Sequence, residues 1–307
     1  MKDIEQKNAS LLNFIYGTAW KEELTKDCVI NALKAGYLAI DTANQRKHYY
    51  EKGVGEALVF AQENFGINRK DIFLQTKFTY LNFQDDRLPY SKQARVTLQV
   101  QQSFESSLEH LQTNYIDSYL LHGPSNPDYF SESDWEAWSA MENLYNQNKV
   151  KYLGVANINH QQLVDLYQKS RVKPHFVQNR CYASIKWDNE IRRYCQKNNI
   201  VYQGFAILTG SKKYLGGVVL HPIDRTVPQL VLDEHSAGAE NIHSTIRKII
   251  HQTGKSIPQI MYRFVQQLGV VPLTGTRSKD HMISNLQIGD LKLTLQQVNQ
   301  IMNIELT

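Results

Sequence analysis

Short, strand-length apolar runs recur along this chain, and most of them lead into a stretch whose apolar positions repeat at helical spacing. The first run, 14–18, precedes a helix predicted at 26–35; the second, 38–42, precedes one at about 51–65. The run 72–77 leads into the segment 92–111, where Val96, Val100, Phe104, Leu108 and Leu111 mark one apolar face. The run 116–121 precedes a helix at 133–147, with Ser133 as its expected N-cap. Strands at 152–155, 176–178 and 200–205 alternate with helices at 161–168 and 188–197. A stretch containing Gly and Pro, 210–238, interrupts the rhythm and reads as a long loop. Helices at 241–252 and 258–267, a last strand at 270–273, a helix at 279–286 and another after Thr294 complete the pattern.

Eight strands with helical partners predict an α/β fold, one closed parallel (β/α)8 TIM barrel over residues 1–307 with a rim loop at about 210–240. Near-continuous apolar strands fit, because parallel strands are buried on both faces. An open doubly wound sheet is the competing fold. It would place a Gly-rich turn after its first strand, and Gly17-Thr18-Ala19-Trp20 is not that turn. No shift in composition marks a domain boundary, and no internal repeat is visible.

Composition narrows the function classes. The 307 residues are 42% hydrophobic and 21% charged, ordinary for a soluble protein with a sizeable core. No apolar stretch is long enough for a membrane span, and the polar start Met1-Lys2-Asp3-Ile4-Glu5-Gln6-Lys7 does not read as a secretory signal. Thirty-four basic against 30 acidic residues give a net charge of +4, which does not argue for a nucleic-acid partner. Cys28, Cys181 and Cys195 form no CxxC pair and lack clustered His, so they read as packing residues in a reducing, cytoplasmic interior with no metal site.

Four polar residues fall at or after predicted strand ends: Asp41, Tyr49, Lys77 and His122. Each has a plainer reading alone. Asp41 can cap a turn, Lys77 can snorkel from a strand end, His122 can be a hydrogen-bonded loop histidine, and Tyr49 can be one amphipathic tyrosine among many. A barrel brings strand C-termini to one rim, where an acid, a phenol, an amine and an imidazole make a proton-transfer site.

The chain also resembles the aldo-keto reductase family. The resemblance rests on Gly36-Tyr37-Leu38-Ala39-Ile40-Asp41-Thr42-Ala43, Val54-Gly55-Glu56-Ala57-Leu58, Ile116-Asp117-Ser118-Tyr119-Leu120-Leu121-His122, Leu153-Gly154-Val155-Ala156-Asn157 and Val271-Pro272, in the family's order. It implies NAD(P)H-dependent reduction of aldehydes or ketones, small-molecule carbonyl substrates, with NADPH the expected cofactor and NADH still open. Tyr49 is then the proton donor, its pKa lowered by Lys77; Asp41 pairs with Lys77, and His122 orients the carbonyl. The segment before Val54 is longer than the family's usual spacing, so His48 and Tyr50 stay as alternatives to Tyr49.

The same resemblance assigns cofactor contacts to Thr18, Asn157, Gln178, Phe205, Leu208, Gly210, Ser211, Thr274, Thr276, Arg277, His281 and Asn285, and a substrate-pocket wall to Trp20. Ala156 replaces the Ser usual beside the Asn, Leu273 stands where many members have a Lys, and His281 where an Arg is expected. The short segment after the last helix implies an open substrate site. Two rivals remain: a regulatory or sensing protein of this fold that binds cofactor with little turnover, and a barrel hydrolase or lyase using Asp41 and His122. A monomer or weak homo-oligomer is expected, without membrane or nucleic-acid partners.

Overall fold

The computed structural model describes residues 11–210 and 244–304. Its strands are β1 (Ile15–Gly17), β2 (Ala39–Asp41), β3 (Phe73–Phe78), β4 (Ile116–Leu121), β5 (Val150–Ala156), β6 (Phe176–Arg180), β7 (Val201–Phe205) and β8 (Val270–Thr274). All neighbours pair in parallel and in chain order, and β8 pairs with β1 to close the barrel. The predicted closed α/β barrel is therefore present.

The pleat sorts each strand between two cores. Ala39, Phe73, Leu120, Ala156 and Phe176 form an inner apolar cluster, while Ile40, Leu74, Leu121, Val155 and Val177 face the helical shell. Period-two alternation then sends Asp41, Gln75, Lys77 and Gln178 inward above that apolar floor. Gly154 is required by this crowding. A Cβ there would lie 2.4 Å from Leu120 Cδ2 and 2.6 Å from the Phe176 carbonyl oxygen.

The helices are α1 (Thr25–Ala35), α2 (Glu51–Phe65), α3 (Val96–His110), α4 (Glu132–Asn146), α5 (His160–Lys169), α6 (Asn189–Lys197), α7 (Ser244–Thr253), α8 (Ile257–Gln267), α9 (Lys279–Leu286) and α10 (Leu295–Met302). One cap differs from expectation: Ser131, not Ser133, caps α4. Its hydroxyl accepts from the Asp134 backbone N–H at 3.2 Å, and the Asp134 carboxylate accepts from the Ser131 N–H at 2.7 Å. This reciprocal box needs an acid three residues after the cap, which Asp134 supplies for Ser131. The predicted rim loop, apart from Gly210, lies outside the described residues, as do the first residues of the helix expected at 241–252. All three cysteines are buried and free. No described helix is long and apolar enough to cross a membrane.

Candidate active site

Because β2 and β3 pair with Asp41 opposite Gln75, the inward side chains of both strands end at the same mouth. Lys77 Nζ donates to Asp41 Oδ1 at 2.6 Å and to the Thr42 carbonyl at 2.8 Å. Burial pushes the Lys77 ammonium pKa down, while the carboxylates of Asp41 and Glu51 oppose that shift. Asp41 Oδ1 also accepts from Gln75 Nε2 at 2.7 Å and from Gln178 Nε2 at 3.0 Å. Gln203 Oε1 accepts from both amides, at 2.8 and 2.9 Å, and Gln203 Nε2 donates to Gln75 Oε1 at 3.0 Å.

Gln75 and Gln203 were not among the sequence-derived candidates. Their signal was a Gln at an inward pleat position in an otherwise apolar strand. Together with Gln178 they form a hydrogen-bonded polar layer that holds the Asp41 carboxylate from below. Gln178 therefore has both amide hydrogens committed within the protein, and only its Oε1 remains for a ligand.

Tyr49 sits on a turn in which its N–H donates to the Gln45 carbonyl at 2.9 Å. That turn is tied down by Gln45 Nε2 donating to the Phe83 carbonyl at 2.6 Å and Asn44 Nδ2 to the Ser103 carbonyl at 2.9 Å. The Tyr49 ring faces Lys77 Nζ at 5.3 Å and meets the His122 ring edge-on at 5.7 Å. Tyr50 is turned to Arg46, whose guanidinium lies 4.4 Å over its ring. His48 packs on Trp20 with centroids 3.8 Å apart and pairs through Nδ1 with Gln45 Oε1 at 2.8 Å. Of the three candidates, Tyr49 is the phenol beside Lys77 and His122.

The acidity runs opposite to expectation. Burial, and then the negative charge of Asp41, push the Tyr49 phenol well above its ordinary pKa of 10.0. The Lys77 ammonium, held by Asp41 and the Thr42 carbonyl, does not outweigh these two effects.

His122 follows β4, and its N–H donates to the Phe78 carbonyl at 2.9 Å. Its Nδ1 lies 2.7 Å from the hydroxyl of Thr79, another residue absent from the sequence-derived set. Burial first, then the neighbouring Lys77 and His48, hold the imidazole well below its ordinary pKa of 6.5, so it is neutral at physiological pH.

The residues with implied cofactor roles divide into groups. Asn157 Nδ2 donates to the His122 carbonyl at 2.8 Å, and its Oδ1 accepts from Arg180 Nη1 at 3.2 Å. The Arg180 guanidinium also lies 5.2 Å over the Phe205 ring. One unforeseen cation thus joins Asn157 to Phe205. Thr18 is buried and its hydroxyl donates to the Asp41 carbonyl at 2.9 Å, bracing β1 against β2. Leu208 packs against the outer core, and Gly210 lies where a Cβ would fall 2.3 Å from the Tyr182 ring. Ser211 lies outside the described residues.

Around β8 and α9, Thr274 is buried and accepts from Asn285 Nδ2 at 3.4 Å, so Asn285 is turned inward. The Thr276 carbonyl accepts from the Tyr16 hydroxyl at 2.8 Å, and the His281 N–H donates to the Ser278 hydroxyl at 3.3 Å. Arg277 Nη2 donates to the carbonyl of Trp20 at 2.5 Å, while its buried Nε has no partner among the described residues. Lys21, also unforeseen, is buried beneath this loop. Its Nζ donates to the Gly275 carbonyl at 3.0 Å and lies 5.1 Å from the Tyr16 ring centroid. With no carboxylate paired to it among the described residues, burial lowers its pKa to about 8. Trp20 is partly exposed at the rim with a left-handed φ of 61°. No group of three or more His, Cys, Asp or Glu among the described residues could hold a metal ion.

An acid–amine pair, a phenol and an imidazole thus meet at the mouth of an eight-stranded barrel, and the barrel agrees with what the chain is similar to. A family model described as "Aldo/keto reductase family" matches residues 14–305. An uncharacterized oxidoreductase, YtbE, of Bacillus subtilis (strain 168) is 28% identical over 277 residues, covering 89% of this chain and 82% of the relative. The NAD(P)H-dependent D-xylose reductase of Pachysolen tannophilus is 27% identical over 307 residues, covering 93% and 88%. The crystal structure of an aldo/keto reductase from Brucella melitensis superposes with a TM-score of 0.71 at 25% identity, covering 95% of each chain. The chain belongs to the aldo/keto reductase family.

Proposed function

We propose that this chain is an NAD(P)H-dependent reductase that converts aldehydes or ketones to alcohols. The observation that carries the reading is the convergence of Tyr49 on both Lys77, at 5.3 Å, and His122, at 5.7 Å, above the buried Asp41–Lys77 pair. The name of the xylose reductase relative supports the same cofactor and carbonyl chemistry.

When bound, the reduced cofactor supplies a hydride to the carbonyl carbon. The protein's own part is to neutralise the oxygen. An alkoxide is a stronger base than a phenolate, so a Tyr49 phenol with a raised pKa stays protonated until needed and still gives up its proton downhill. The Lys77 charge beside the ring stabilises the phenolate left behind, and Asp41, itself held by Gln75 and Gln178, keeps that ammonium in place. Neutral His122 offers a hydrogen bond to the carbonyl oxygen.

The residues around β8 fit an anionic dinucleotide. Among the described residues Lys21 is a buried ammonium without a paired carboxylate, and Arg277 carries a buried Nε with no partner. Cations in such surroundings favour a phosphate-bearing ligand, a demand that both cofactors meet and that the additional phosphate of NADPH meets most fully. Gln178 Oε1 and Asn157 are the groups on this chain suited to a carboxamide, and Phe205 to an aromatic ring.

Arg180 is the observation favouring the rival reading of a cofactor-binding protein with little turnover, because it occupies both Asn157 and the Phe205 face. Mixing the protein with NADPH and an activated aldehyde separates the two. Substrate-dependent oxidation supports the reductase; saturable binding without oxidation supports the rival.

A further inference from the structure

Thr79 continues the inward pleat phase of Lys77 and is 1% exposed. Its backbone carbonyl accepts from the Tyr90 hydroxyl at 2.8 Å and from Gln84 Nε2 at 3.4 Å. His122 is pinned as firmly, through its N–H to the Phe78 carbonyl at 2.9 Å and its own carbonyl to Asn157 Nδ2 at 2.8 Å. Two anchored backbones thus present Thr79 Oγ1 to His122 Nδ1 at 2.7 Å.

A neutral imidazole carries one proton, and only one of its two placements satisfies this pair. If Nδ1 held the proton and donated to Oγ1, the threonine O–H would need a second acceptor. None lies within reach among the described residues, and a buried unpaired hydroxyl is costly. If the hydroxyl donates to Nδ1, its proton is satisfied and the imidazole proton moves to Nε2. That nitrogen has no protein partner among the described residues.

We infer that Thr79 is a positioning residue that fixes His122 as the Nε2–H tautomer, the form able to donate to a carbonyl oxygen. The inference rests on the reading of His122 as the group that orients the carbonyl. It gives Thr79 a role in the reaction without contact with substrate. Neighbouring charge acts in the same direction, since Lys77 and His48 oppose a second proton on the ring.

The test is long-range proton–nitrogen NMR of protein labelled with nitrogen-15 histidine, with the His122 signals assigned by their loss in His122→Gln. Wild type should show one tautomer, protonated at Nε2, near neutral pH. Thr79→Val releases Nδ1, so the second tautomer should appear. Its kcat should fall by about fivefold or more, the equivalent of one neutral hydrogen bond, with cofactor affinity unchanged. Thr79→Ser keeps a hydroxyl and should restore the single tautomer and the rate. A wild-type proton on Nδ1, or a Thr79→Val protein with unchanged tautomer and kcat, overturns the inference. A wild type that shows the Nε2–H form yet reduces no carbonyl would sink the reductase reading and leave the tautomer assignment standing.

Discussion

Lys77 Nζ and Asp41 Oδ1 meet at 2.6 Å in a place where the amine is fully sealed from water and the carboxylate nearly so. Such a pair adds little net stability, because desolvating two charges costs about as much as their attraction returns. Breaking it is another matter. Asp41→Asn strands a buried ammonium and weakens the acceptor shared by Gln75 and Gln178. Urea unfolding should show a loss of about 3–5 kcal/mol. An unchanged midpoint would mean that the ammonium had simply lost its proton.

Tyr49 and Tyr50 can be separated by the same substitution. The Tyr49 hydroxyl makes no hydrogen bond among the described residues, so Tyr49→Phe should leave stability within about 0.5 kcal/mol of wild type. Its kcat should nevertheless fall by about a hundredfold or more, as expected for loss of a general acid. Tyr50→Phe should retain most activity, since that ring lies under Arg46 rather than beside Lys77. Steady-state kinetics on both variants decides the assignment; an active Tyr49→Phe contradicts it.

The barrel was legible because parallel strands buried on both faces leave continuous apolar runs that no turn chemistry obscures. Helix α2 was expected at 51–65 and α9 at 279–286, and both occupy those bounds. Asp41 and Lys77 were legible for the same reason, as polar residues ending apolar strands. Gln75, Gln203 and Thr79 were not, because their meaning depends on strand register and loop closure across the barrel. The sign of the Tyr49 shift was misjudged because a pair of residues beside each other suggests attraction, while burial and a third charge decide the outcome. Ser131 was missed for a simpler reason: the reciprocal box with Asp134 outweighs proximity to the helical pattern.

His122 makes stability depend on pH in a stated direction. Its folded pKa lies well below the ordinary 6.5, so the unfolded chain binds the extra proton first on acidification. Its contribution is complete above that value and is lost as pH falls below it. His122→Gln should therefore flatten the slope of unfolding free energy against pH just below about 6.5. An identical slope in the variant would show that the imidazole titrates normally.

Gly154 offers a test of the barrel interior away from the mouth. Adding one methyl at this position collides with Leu120 and the Phe176 backbone, at 2.4 and 2.6 Å. Gly154→Ala should cost about 1–3 kcal/mol or more in thermal or urea unfolding, because a strand carbonyl cannot step aside as a flexible side chain can. Wild-type stability would mean that the strands around it are looser than described.

Reductase chemistry at the Tyr49 mouth is most directly tested by following nicotinamide absorbance with purified protein, NADPH and a reactive aldehyde, beside the Tyr49→Phe variant. The account predicts aldehyde-dependent loss of the reduced cofactor in wild type and almost none in the variant, with NADPH bound equally well by both. Bound cofactor that wild type never oxidises, or equal oxidation by the two proteins, would contradict it.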